Sequence, residues 1–189
     1  MRVIIIADGD GTRWGNHLGV PKHLAPFDGV PLIHRTIGQF SAVAAEVFVV
    51  TSDRRYMLPP AVQYVPAHNP DHFDADKFLN SEQLWNRDGR TVVAYGDVWF
   101  SDALIDRIAG YTRREWRLFA RQGKSTITGT RWGECFAQSF WPEHHDEHRA
   151  ALLRVVAADG AGQLKRCGGW EHYRAMQGLT LARHVGRGR

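Results

Sequence analysis

An uninterrupted apolar run, Val3-Ile4-Ile5-Ile6-Ala7, breaks straight into Asp8-Gly9-Asp10-Gly11-Thr12-Arg13. The run shows no polar alternation, as expected of a parallel strand covered on both faces. A buried strand that opens into a glycine-rich loop presents bare backbone N–H groups to an anion. Gly9 and Gly11 carry no Cβ, so a ligand can approach the backbone closely. Arg13 and then Lys22, in Pro21-Lys22-His23-Leu24, add two cations of different geometry, a planar fork and a point charge. The start of the chain is therefore suited to the phosphates of a nucleoside polyphosphate or a nucleotide-sugar.

The remaining periodicity predicts alternating strands and helices. Residues 31–40 read as a helix, with Pro31 near its start and Leu32, Ile33, Thr36, Ile37 and Phe40 at helical spacing. Strands are expected at 46–51, 62–65, 91–95, 117–121 and 134–140. Helices are expected at 77–85, at 102–108 with Ser101 as N-cap, at 142–158 and at 168–176. That order implies one α/β domain over residues 1–189, with a mostly parallel central sheet and helices on both faces. Ligands on such sheets bind beyond the C-terminal strand ends, where the loops after Ala7 and Tyr95 fall.

Composition narrows the function classes. The 189 residues are 43% hydrophobic and 23% charged, an ordinary balance for a soluble domain with a real core. The formal charge of +4 is spread along the chain, which does not point to nucleic acid. The basic stretch at 183–189 reads as a frayed end. Cys135 and Cys167 form neither a disulfide framework nor a zinc pattern, so reduced thiols in the cytoplasm are expected. The N-terminal apolar run is too short for a signal peptide or a membrane span.

Familiar phosphate motifs fail here. Trp14 stands where the dinucleotide fingerprint needs its third glycine. Leu118 stands where a P-loop ending in Gly123-Lys124-Ser125 needs its first, so that tripeptide reads as a turn between strands. Asp8-Gly-Asp10 and Asp74-Ala-Asp76 have the Asp-x-Asp form of metal-dependent glycosyltransferases, but neither follows the central strand. Glu143-His144-His145-Asp146-Glu147-His148 carries metal-type side chains, with His144 and His148 on one helical face. Pro142 and the acidic residues also make it a plain helix opening.

The combined spacing resembles the nucleoside-triphosphate transferase family with the GT-A-like, Rossmann-like fold, which includes sugar-phosphate nucleotidylyltransferases. The residues that carry the likeness are the strand, Ala-x-Gly-x-Gly-Thr-Arg, Pro-Lys-x-Leu, Gly29-Val30-Pro31-Leu32-Ile33, Asn80-Ser81-Glu82-Gln83-Leu84 and the strand ending Gly96-Asp97. It covers roughly the first 110 residues. The resemblance implies that Gly9, Asp10, Gly11, Thr12 and Arg13 wrap the triphosphate, with Gly96 beside them. It implies that Arg13 and Lys22 hold phosphate oxygens, that Asp97 binds Mg²⁺, and that Ala7, Asp8, Gly9, Asn80 and Ser81 lie near the nucleoside. Trp99 and Glu134 fall on the sugar or acceptor side.

Two departures stand out. Asp8 occupies a position where the family has Gly or Ala, which adds a carboxylate near the base or phosphate. The family's second metal-binding Asp, near the C-terminal end, has no counterpart; Glu171 is the available substitute unless the chain stops before that element. The expected function is Mg²⁺-dependent nucleotidyl transfer from a nucleoside triphosphate to a sugar phosphate. The alternatives are a glycosyltransferase of related fold using a nucleotide-sugar, or a nucleotide-binding relative without activity. No membrane partner is expected, and a homo-oligomer is compatible. Each transferase reading requires Lys22 and Asp97 to face one cleft.

Overall fold

A computed structural model of the chain describes residues 1–9, 14–15, 18–58, 63–65, 74–126, 129, 131, 133–164 and 168–181. For residues 54, 63–65 and 74–76 it describes the backbone alone. Asp10, Gly11, Thr12, Arg13 and Cys167 lie outside the described residues, as do the Asp74 and Asp76 side chains and the basic stretch at 183–189.

The strands are β1 (Arg2–Ile6), β2 (Pro26–Phe27), β3 (Val30–Pro31), β4 (Glu46–Val50), β5 (Gln63–Val65), β6 (Thr91–Tyr95), β7 (Arg117–Arg121) and β8 (Glu134–Phe140). The helices are α1 (Leu32–Ser41), α2 (Asp74–Leu79), α3 (Asp102–Ala109), α4 (His145–Gly160) and α5 (Gly169–Met176). A six-stranded sheet runs in the order β5-β4-β1-β6-β8-β7. Its first four strands are parallel, and β8 lies antiparallel to both β6 and β7. The sheet is therefore mixed and mostly parallel, as the sequence implies.

Strand alternation divides the core. Val3, Ile5, Val47, Val49, Val92 and Ala94 pack toward Ile33, Ile37 and Phe40 of α1 and Ile105 and Ile108 of α3. Ile4, Ile6, Phe48, Val50 and Val93 pack toward Phe78 of α2, Leu152 and Val155 of α4, and Ala175 and Met176 of α5. The continuous run Val3 to Ile6 is thus apolar because both faces are covered. None of the described helices is long and apolar enough to cross a membrane.

Register places three strand ends at one level. Ile6 is opposite Val50 on β4 and Tyr95 on β6. Ala7 N–H donates to Val50 O at 2.9 Å, and Gly96 N–H donates to Ile6 O at 2.8 Å. A Cβ on Gly96 would lie 3.0 Å from Ala7 Cβ and 3.0 Å from Ile6 O, so only glycine lets β6 leave the sheet this close to β1. Because β8 runs the other way, its first residue, Glu134, starts near this rim.

Three local expectations need correction. The helix expected over 77–85 stops at Leu79, and a separate 3₁₀ turn follows at Glu82–Leu84. Ser81 explains the break: its hydroxyl donates to Phe78 O at 2.6 Å and accepts from Trp85 Nε1 at 3.1 Å, a local bond that competes with helix continuation. The helix expected from 142 begins as a 3₁₀ turn at Pro142–His144 before α4. The helix opening at 31 is preceded by an unexpected hairpin of β2 and β3. Its turn, Asp28 (φ 50°) and Gly29 (φ 78°), has both central residues left-handed, the geometry favoured for a two-residue loop. Elsewhere the strands at 91–95, 117–121 and 134–140 form as expected, and Ser101 Oγ caps α3 by accepting from Leu104 N–H at 3.3 Å.

Candidate active site

Pro21, with φ −54° and ψ 147°, delivers the chain into a 3₁₀ turn at Lys22–Leu24. The turn aims Lys22 across the rim, where its Nζ donates to Asp97 Oδ2 at 2.7 Å. Asp97 follows Gly96 directly off the end of β6. The two side chains are 24% and 37% exposed, so the pair is partly open to solvent and not in the core. A Cβ on Gly9 would come within 3.1 Å of Lys22 Nζ and 3.3 Å of its Cε. Gly9 therefore makes room for the lysine side chain, a role the sequence does not disclose.

The electrostatics of the pair favour ionised Asp97. Desolvation pushes its carboxyl up, but the Lys22 charge and hydrogen bond outweigh this and the net shift is downward. Behind Lys22, His23 is 2% exposed and its Nδ1 shares a 2.7 Å hydrogen bond with the Tyr56 hydroxyl. Burial lowers His23 to about 4; Asp97 and Asp53 oppose the shift, while Lys22 and Lys77 add to it. Burial also raises the Tyr56 phenol, so both partners are neutral near pH 7. Tyr56 is held in turn by its own loop after β4, where Asp53 Oδ1 accepts from Arg55 N–H at 3.0 Å, and by α1, whose His34 Nε2 meets Tyr56 O at 2.6 Å.

On the other side of β1, Asp8 is 5% exposed. Its Oδ1 accepts from Ser52 N–H at 2.8 Å and from Ser52 Oγ at 2.7 Å. Its Oδ2 is buried without a hydrogen-bond partner among the described residues, and so is Asn80 Nδ2. Ala7 is buried at the strand end. Ser81 is fully buried and its hydroxyl is committed to Phe78 and Trp85, which leaves it no hydroxyl facing a nucleoside.

Two further candidates, Trp99 and Glu134, lie elsewhere on the fold. Trp99 is 47% exposed; its ring lies 5.3 Å from Phe27 of the β2–β3 hairpin, and the Arg35 guanidinium sits 5.1 Å from it. Glu134 pairs with Arg121 at 3.0 Å across β7 and β8. Glu171 Oε2 accepts from Gly168 N–H at 3.1 Å and so caps its own helix, α5.

The acidic-histidine run 143–148 is a helix opening. Glu143 bonds Arg114 at 2.8 and 3.0 Å, and His144 Nδ1 accepts from Trp141 N–H at 3.3 Å. His148 is buried against Phe140, Trp85 and His172. Among the described residues no three His, Cys, Asp or Glu side chains gather in a way that could hold a metal ion. Asp97 supplies one hard carboxylate, which fits a Mg²⁺ ion whose remaining ligands are substrate phosphates and water, not a preformed cage.

The structure thus brings Lys22, Asp97 and Gly9 together, with Asp8 beside them at the end of β1. Sequence reading missed His23, Tyr56, Ser52 and Lys77. Only His23 had a signal, its place inside the Pro-Lys motif.

Known proteins share the family pattern and the fold. Residues 3–163 match the MobA-like NTP transferase domain. No curated protein matches the chain in sequence. Among solved structures, the inositol-1-phosphate CTP transferase from T. maritima is similar in fold, with a TM-score of 0.59 and 13% identity over 94% of this chain and 82% of that one. The bifunctional IspDF from Campylobacter jejuni gives 0.63 and 16% identity over 94% of this chain and 47% of that one. The CTP:phosphocholine cytidylyltransferase LicC from Streptococcus pneumoniae gives 0.57 and 14% identity, covering 84% and 78%.

Proposed function

The chain belongs to the MobA-like NTP transferase family, and on that premise we propose that it transfers a nucleotidyl group from a nucleoside triphosphate to a sugar phosphate in the cytoplasm. The observation that carries this reading is the Lys22–Asp97 pair, 2.7 Å apart at the rim. A phosphate oxygen of the acceptor attacks the α-phosphorus; a new O–P bond forms, the α–β anhydride bond breaks, and pyrophosphate leaves with the electron pair. Both reactants are anions, so repulsion and leaving-group charge are the obstacles. Lys22 offers its ammonium to a phosphate oxygen, and Arg13 is proposed as a second cation. When bound, Mg²⁺ neutralises phosphate charge, with Asp97 as the carboxylate that would hold it. Ala7, Asp8, Gly9 and Asn80 face the nucleoside; Trp99 and Glu134 border the acceptor. Two of the structurally similar enzymes are named for phosphate-bearing acceptors, inositol-1-phosphate and phosphocholine, which supports a phosphate monoester in that role.

Pyrophosphate release, measured with a panel of triphosphates and sugar phosphates in Mg²⁺, tests the proposal. Lys22→Ala and Asp97→Ala should each lower kcat by about a hundredfold to a thousandfold. Undiminished turnover in both variants would refute it, and transfer from a nucleotide-sugar without pyrophosphate would replace it with the glycosyltransferase reading.

A further inference from the structure

Asp8 lies buried just past the end of β1, and its two oxygens have different surroundings. Oδ1 is saturated by the Ser52 amide and hydroxyl, at 2.8 and 2.7 Å. Oδ2 is equally buried and has no partner among the described residues. A buried acceptor left unpaired is costly, and one on a carboxylate more so. Native structures keep such groups where a water, ion or ligand completes them.

The Ser52 bonds hold the carboxyl group in one orientation, so Oδ2 is a fixed acceptor. Ile6 and Val50 belong to the core on the α2 side of the sheet, and Asp8 and Ser52 follow two residues beyond each. Asn80 directly follows α2 on that side and brings a second unpaired buried atom, Nδ2. Among the described residues this side of the sheet therefore offers an unpaired acceptor and an unpaired amide, with Lys77 of α2 as a cation on the same helix. Lys22 lies over Gly9, the next residue along. A phosphate would be repelled by Asp8, and a group with N–H donors would satisfy it.

We propose that Asp8 is the base-specificity residue of the transferase, its Oδ2 accepting a hydrogen from an exocyclic amine of the nucleotide base. This rests on the nucleotidyl-transfer reading above. Cytosine, adenine and guanine present an amine. Uracil and thymine present a ring N–H flanked by two carbonyl oxygens, which the carboxylate repels. A site built to accept from an amine rejects the analogue that carries oxygen in its place, because a buried acceptor is then left facing another acceptor.

The experiment measures binding of amine and deaminated pairs, CTP against UTP, ATP against ITP and GTP against XTP, by calorimetry on the full chain with Mg²⁺, with inorganic triphosphate alongside. The best-bound nucleotide should carry the amine and bind about tenfold or more tighter than its deaminated partner. Asp8→Asn keeps an oxygen for Ser52 and turns a donor toward the base, so it should narrow or invert that ratio. Equal or tighter binding of the deaminated partner by the wild-type protein overturns the assignment without reference to any variant. An unchanged ratio in a folded Asp8→Asn protein overturns it too. If inorganic triphosphate binds and the base ratio is flat, Asp8 alone is misassigned; if no nucleotide or triphosphate binds, the transferase reading falls and this assignment with it.

Discussion

The Tyr56 hydroxyl and His23 Nδ1 meet at 2.7 Å in a buried site directly behind Lys22. His23 is the next residue in the turn that carries the lysine, so the bond braces the backbone from which Lys22 reaches Asp97. Tyr56→Phe removes one hydroxyl and leaves His23 Nδ1 unpaired. Stability should fall by about 1–3 kcal/mol in chemical denaturation. If the brace positions Lys22, kcat should also fall by about tenfold or more while KM for the triphosphate holds. A loss of stability with kcat unchanged would make the bond purely structural.

Acid should destabilise the protein well before its carboxylates titrate. Burial lowers His23 to about 4 and His172 to about 3, and holds His148 well below its ordinary value. A base whose folded pKa is depressed leaves the folded state less protonated than the unfolded chain. Its contribution is therefore complete above the unfolded value near 6.5 and is lost as pH falls toward the folded value. For His23 alone the loss between pH 6.5 and pH 4 is roughly 3 kcal/mol. Urea midpoints across pH 4–8 should stay level above pH 7 and drop below 6.5, and His172→Gln should flatten part of that slope.

Lys22 and Asp97 can be tested as a pair by titration. Desolvation raises the Asp97 carboxyl, and Lys22 reverses the shift. Lys22→Met should leave the desolvation unopposed and move Asp97 upward, read by NMR of its carboxyl carbon. The depressed folded value also means that the pair stabilises the fold above the unfolded carboxyl value of 3.8 and ceases to do so as pH falls through the lower folded value. Asp97 that titrates unchanged in Lys22→Met would show that the ion pair does not govern it.

The two rim glycines should respond differently to alanine. At Gly96 the new methyl would meet Ile6 O and Ala7 Cβ, both at 3.0 Å and both fixed by the sheet. Gly96→Ala should cost about 1–3 kcal/mol of stability. At Gly9 it would meet, among the described residues, only the far end of Lys22, which can swing away. Gly9→Ala should leave the melting temperature nearly unchanged and lower kcat by displacing the ammonium. Equal stability losses at both positions would contradict this distinction.

The sheet was legible because its rule is simple. Val3 to Ile6 and Val92 to Ala94 are apolar without alternation, and burial on both faces is what such runs require. The Lys22–Asp97 encounter spans 75 positions and no periodicity announces it; only the resemblance put both residues in one place. Tyr56 was invisible because it lies in a loop and its role depends on a tertiary bond. The hairpin before α1 was signalled by Asp28-Gly29, but strands of two residues are too short to show a pattern. Ser81 looked like a nucleoside contact, and its inward hydroxyl bonds come from packing beside Trp85, which sequence spacing does not report.

The reversal of β8 has a lasting effect on how this protein can vary. Glu134 opens a strand that backs into the sheet from the rim, between β6 and β7, with no part in the turn that carries Lys22. Changes in the hairpin of β7 and β8 can therefore reshape one flank of the cleft while the opposite flank keeps its form. Descendants of such a chain are free to alter that edge of the sheet without disturbing the Lys22–Asp97 contact.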